Sequence, residues 1–165
     1  MALTPKSMAD ALMKEYEDYC KDPEGKGEFI QTFNKTLDDY FQQNAQFSTP
    51  NVTMTGAKGA MAITIMPDPL TQALEIATKI ANYWALTITP DGIPTTGVIT
   101  AIINTAPTII APLTAAIAMV PSMVGDKPDN YLTFCTQVIT HIKTISWTVT
   151  ETVGISVQTI PVTVL

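Results

Sequence analysis

The chain has 165 residues, 9 of them cationic and 15 acidic, for a formal charge of −6 at pH 7. An apolar fraction of 46% with a mean hydropathy of +0.20 excludes a disordered chain, and two cysteines exclude a disulfide-dense miniprotein. A pI near 4.5, with every cation a Lys, excludes a basic nucleic-acid binder and bidentate Arg clamps on phosphate.

Charge is distributed unevenly. Residues 1–50 hold 14 of the 24 charges, and none falls between positions 92 and 125. The division predicts a charged helical hairpin over 1–48, as an arm or subdomain, and a low-charge α+β domain over 49–165. Mostly helical α+β architecture is the expected fold class, with a few short strands that include an edge strand at the C-terminal end.

In chain order, Thr4-Pro5 reads as an N-cap with Pro at the first helical position. Met8, Leu12, Met13, Tyr16 and Tyr19 come next at helical spacing. The stretch 21–25 breaks that helix. A second helix carries Ile30, Phe33, Leu37, Tyr40 and Phe41 on one face and is expected to end near Gln46. Residues 51–54 and 61–66 read as short strands, with a hairpin between Gly56 and Gly59. Asp68-Pro69 opens a helix whose wide apolar face runs from Leu70 to Trp84.

Residues 98–103 are expected to be a short helical element. Pro107 and Pro112 interrupt the next segment, and another short helix covers 113–120. Over 98–120, 16 of 23 residues are Val, Ile, Leu, Ala or Met, enough length to cross a bilayer. The two prolines, Asn104, four Thr and the absence of flanking cations favour a packed core or subunit interface instead. Asp126 and Asp129 mark the start of a helix that keeps its period to Ile145. Residues 145–153 fit helix or strand equally. In the tail, Ile155 and Val157 alternate, then Ile160, Val162 and Val164 alternate after a one-residue shift, which with Pro161 suggests a bulge or an edge strand.

Chemistry-bearing residues are sparse. His141 is the only histidine, with Gln137 one turn before it and no adjacent nucleophile turn. Asp38-Asp39, Glu15 with Asp18, and Asp126 with Asp129 read as solvated or capping acids rather than glycosidic pairs. Gly56-Ala57-Lys58-Gly59 lacks the ending of a phosphate loop. No metal, cofactor or catalytic site is expected. Cys20 and Cys135 fall on apolar helix sides and read as two buried thiols, with a disulfide between them left open.

Thr accounts for 26 residues, nine of them between Thr133 and Thr163. An uncharged Thr and Ile strand is an unprotected edge that invites pairing with another chain. The expected function is therefore a structural subunit of a larger assembly, for example a bacteriophage tail, baseplate or neck component. The expected partners are other protein subunits, not nucleic acid. The candidate interface residues are Val98, Ile102, Ile103, Ile109, Ile110, Leu113, Ile117, Ile155, Val157, Ile160, Val162 and Val164. A charge at Ile160 or Val162 is expected to block assembly. The alternatives are a membrane-active protein using residues 98–120, and a small enzyme or ligand-binding domain with a cleft near Trp84, His141 or Trp147. The acidic N-terminal stretch resembles no targeting signal. It implies cytoplasmic synthesis and incorporation into a particle.

Overall fold

The computed structural model describes residues 2–50, 52–54, 56–123 and 127–165, and only the backbone of Lys26 and Gly92. The fold is α+β and predominantly helical, with one three-stranded antiparallel sheet among the described residues.

Helix α1 (Pro5–Lys21) starts where the sequence places it. Thr4 is extended, and its hydroxyl oxygen accepts the Ser7 N–H at 3.3 Å. A one-turn helix α2 (Pro23–Lys26) separates α1 from α3 (Phe29–Asn44), which ends two residues short of Gln46. The Tyr40 hydroxyl of α3 donates to the Thr4 carbonyl at 2.9 Å and accepts the Thr4 N–H at 3.0 Å. That pair of bonds pins the entry of α1 to α3. Helix α1 also packs along α6 (Pro128–Ile142). The hairpin therefore shares a core with the rest of the chain: Met8, Leu12, Phe33 and Leu37 lie in the same buried cluster as Trp147 and Val162.

The two strands expected at 51–54 and 61–66 are not formed at the described positions; Asn51 lies outside them. Residues 61–66 do run with Met61 and Ile63 buried and Ala62 and Thr64 exposed. Their backbone, however, is satisfied by side chains instead of a neighbouring strand. Asn34 accepts the Ile63 N–H at 3.0 Å and donates to the Ile63 carbonyl at 2.8 Å, as a strand partner would. Glu75 accepts the Thr64 N–H at 3.1 Å, and Gln72 accepts the Met66 N–H at 2.8 Å. Glu75 and Gln72 belong to α4 (Pro69–Ala85), which Asp68 caps by accepting the Leu70 and Thr71 N–H groups.

The element at 98–103 is a strand and not a helix. Strand β1 (Val98–Asn104) pairs with β2 (Ser146–Val153), and a bulge at Thr100 breaks the register between Ile99 and Ala101. The extra residue puts Ile99 and Ile102 on the same face three positions apart, a helix-like spacing produced by a strand. Residues 105–120 then fold as a 3₁₀ turn (Ala106–Ile109) and the nine-residue helix α5 (Ile110–Ala118). Pro112 occupies the first turn of α5, where its missing N–H would have no partner anyway. The 98–120 stretch is thus a strand, a turn and a short helix; among the described residues no helix is long and apolar enough to cross a membrane.

Helix α6 opens with Pro128, and Asp129 sits in its first turn. Asp126 lies outside the described residues. Residues 146–153 resolve to strand. A two-residue turn comes next, with Gly154 at φ 63° as such hairpin turns require, and leads into β3 (Ser156–Thr163). The sheet order is β1-β2-β3, so β3 is an edge strand. No bulge occurs in the tail: β2 and β3 pair without interruption from Ser146–Thr163 to Val153–Ser156. The apparent shift in the sequence arises because both faces of β3 carry apolar residues. Val157 lies on the face away from the core, and Val162 on the core face.

Trp147 of β2 meets Phe47 at 5.8 Å and Trp84 of α4 at 6.5 Å between ring centroids. Phe41 of α3 meets Trp84 at 5.3 Å. This row of rings joins the helices to the inner face of the sheet.

Candidate functional site

Side chains directly opposite one another in an antiparallel pair share a face. The register therefore defines the outer face of the sheet in three ranks. Val98, Thr152 and Val157 form the first, Ala101, Thr150 and Thr159 the second, and Ile103, Thr148 and Pro161 the third. Ser146 and Thr163 extend it at one end. No member is charged. Val98, Ile103 and Val157 are 70%, 66% and 69% exposed, and Ile155 in the adjoining turn is wholly so. The opposite face carries Trp147, Val149 and Val162, all buried.

The structure divides the twelve candidate interface residues. Val98, Ile103, Ile155 and Val157 are on the surface. Ile109, Leu113, Ile117, Val162 and Val164 lie inside the chain's own core, and Ile102, Ile110 and Ile160 pack partly buried against it. Burial of these eight needs no partner. A charge at Val162 would disrupt folding before it reported on assembly. The Thr positions 148, 150, 152 and 159 and Pro161 are not among the candidates, although they complete the face. The Thr alternation from 148 to 152 is the signal that could have found them.

His141, Asp38, Asp39 and Glu151 have structural partners. The Nδ1–H of His141 donates to the Gln137 carbonyl at 2.7 Å, on its own helix. Asp39 pairs with Lys35. Asp38 is a half-buried hub: it accepts the Tyr83 hydroxyl at 2.5 Å and the Gly59 N–H at 2.7 Å, tying α3, α4 and the 56–59 turn together. Burial, then the hydrogen bond to Asp38, pushes the Tyr83 phenol well above its ordinary range. Glu151, on the inner face of β2, is 5% exposed and accepts the Gly97 N–H at 3.3 Å. Among the described residues no cluster of three His, Cys, Asp or Glu could hold a metal.

Neither cysteine is in a disulfide, and they differ in environment. Cys135 is buried, but Cys20 is exposed, which corrects the expectation of two buried thiols. Cys20 lies in the last turn of α1, on its exposed side. A thiol reagent at neutral pH is expected to label one cysteine per native chain and the second only in denaturant, as read by mass spectrometry; equal native labelling would contradict this burial.

A concavity of about 430 Å³ opens between α1, α3 and α6, walled by Tyr16, Phe29, Ile30, Phe33, Ile65 and Tyr131. It is almost wholly apolar. The amide of Gln72 at its margin is committed at both ends, to Met66 and to Thr64. Ligand sites of this size ordinarily add a few convergent polar groups that fix orientation.

No protein-family model, curated protein sequence or solved structure matches this chain.

Proposed function

We propose that this protein is a non-catalytic structural subunit of a larger protein assembly, joined to its neighbours through the outer face of the sheet and the β3 edge. The observation that carries the reading is the uncharged outer face. Singly exposed apolar residues are ordinary, but here they stand in ranks across three strands with only Thr, Ala, Ser and Pro between them. A free surface normally mixes charges of both signs, and this chain carries 24 of them without placing one on this face. Thr and β-branched side chains suit a pleated surface that another layer covers. The composition suits a virion part such as a bacteriophage tail, baseplate or neck component. The partners would be protein subunits; the acidic balance disfavours nucleic acid. The apolar helical groove favours a ligand-binding reading less, because its wall is almost wholly apolar.

The direct test is Ile103→Lys. Its side chain points away from the core, so thermal stability is expected to change by no more than about 1 kcal/mol. Association, measured by light scattering against concentration, is expected to weaken at least tenfold. Association unchanged by both Ile103→Lys and Val98→Glu would overturn the proposal.

A further inference from the structure

The backbone of β3 has two edges, and the contacts of its far half show which residues point outward. The Thr163 carbonyl accepts the Ser48 N–H at 2.9 Å, and the Thr163 N–H donates to the Ser48 hydroxyl at 2.9 Å. The Pro161 carbonyl accepts the Thr49 hydroxyl at 3.0 Å. Leu165 continues the contact by donating to the Gln46 carbonyl at 2.9 Å, beside the isolated Phe47–Val164 bridge. Odd-numbered residues of β3 therefore turn their N–H and C=O away from β2. Pro161 stands at such a position, where a missing N–H costs the ladder nothing.

Two of the four edge segments of this sheet carry a protective device. The far half of β3 is covered by residues 46–49 and contains Pro161. The first half of β1 is disturbed by the Thr100 bulge. The near half of β3 has no such device. Residues 154–159 are all exposed, and none is charged. Among the described residues no segment pairs with the outward groups of Val157 and Thr159.

We infer that this open half-edge binds a second copy of the same chain, in antiparallel pairing about a two-fold axis through Gln158. The inference rests on the assembly reading above. Two arguments select a second copy. First, the free groups are self-complementary. With Gln158 opposite Gln158, Val157 of each copy faces Thr159 of the other, and all four outward N–H groups meet outward carbonyls. Second, a chain of charge −6 repels its own copies, and this is where it repels them least. From position 144 to 165 the only charged side chain is Glu151, which is buried on the opposite face. A neutral edge offers nothing by which to select a different, oppositely charged partner. Pairing would merge the two outer faces into one six-stranded surface.

The contact is small. Five residues span about 17 Å of strand, so the edge alone falls short of the roughly 800 Å² per partner of a stable interface, and a concentration-dependent dimer is the expected result. The test compares backbone amide exchange of the full-length protein at low and high concentration with that of Thr159→Pro, which repeats the Pro161 device. Val157→Lys serves as a second variant should the proline perturb folding. The Val157 and Thr159 amides are expected to gain at least tenfold protection as concentration rises. Gln158 and Ile160, bonded to β2, should be protected throughout. Both variants should keep the native melt and lose the concentration dependence. Rapid exchange of Val157 and Thr159 at every concentration would overturn self-pairing through this edge. Association that persists in both variants would overturn it too, and Ile103→Lys, away from this edge, tests assembly through the outer face separately.

Discussion

Trp84→Ala is expected to cost about 3–5 kcal/mol, enough to leave a domain of ordinary stability largely unfolded near 37 °C. Trp84 is fully buried and touches the rings of Phe41, Phe47, Tyr83 and Trp147. It is the point where α3, α4 and β2 meet, so the cavity would open between layers instead of at a margin where neighbours could collapse. The cost arises from packing. The indole N–H groups of Trp84 and Trp147 are both buried without a hydrogen-bond partner among the described residues, so truncation breaks no polar contact. Trp84→Phe should accordingly recover much of the loss. Urea denaturation at neutral pH checks both, and a Trp84→Ala loss below about 1 kcal/mol would contradict the central place given to this row of rings.

The second large effect is alkaline. Burial pushes the Cys135 thiol up; burial, then the fields of Tyr16 and the two cysteines, pushes the Tyr131 phenol up to about 12. Tyr83 moves in the same direction through burial and Asp38. All three are neutral when protonated, and folding holds the proton. Their contribution to stability is therefore complete below the unfolded values, about 8.5 for a thiol and 10 for a phenol. It is lost as pH rises from there toward the raised folded values. Each group can remove roughly 1.4 kcal/mol per pH unit in that window. The urea midpoint is expected to hold between pH 7 and 8, fall from about pH 9, and fall more steeply above about pH 10 as the phenols join. Cys135→Ala should delay the onset. A midpoint unchanged up to pH 10.5 would contradict the burial of these groups.

The helices are legible in the sequence because their signals are local. Thr4-Pro5 and Asp68-Pro69 cap at the positions their residue types predict, and the apolar stripes of α1, α3, α4 and α6 face the core, except that Leu70 and Leu74 of α4, expected on its apolar face, are exposed. The errors have non-local causes. β1 reads as helix because the Thr100 bulge replaces period two with a spacing of three, and nothing within β1 announces that its partner lies 50 residues away. Residues 61–66 read as strand because a short apolar segment follows the Gly56–Gly59 turn signal, but Asn34, Gln72 and Glu75 take the place of a neighbouring strand. The candidate interface is legible in part. Composition locates the uncharged region, yet apolar character alone does not separate Leu113 and Val162, which the core needs, from Val98 and Ile103, which it does not. That division depends on pairing register, which sequence periodicity fixes only when one face is polar. Here Val occupies both faces.

Sedimentation velocity of detergent-free protein over a wide concentration series, run beside Ile103→Lys and Thr159→Pro, tests the central claim most directly. The account predicts discrete, concentration-dependent oligomers of the wild-type chain that shift toward monomer in both variants, with the native melt retained. A wild-type chain that sediments as a single monomer at every concentration, or oligomers that neither variant weakens, would contradict the assignment of the sheet as the assembly surface.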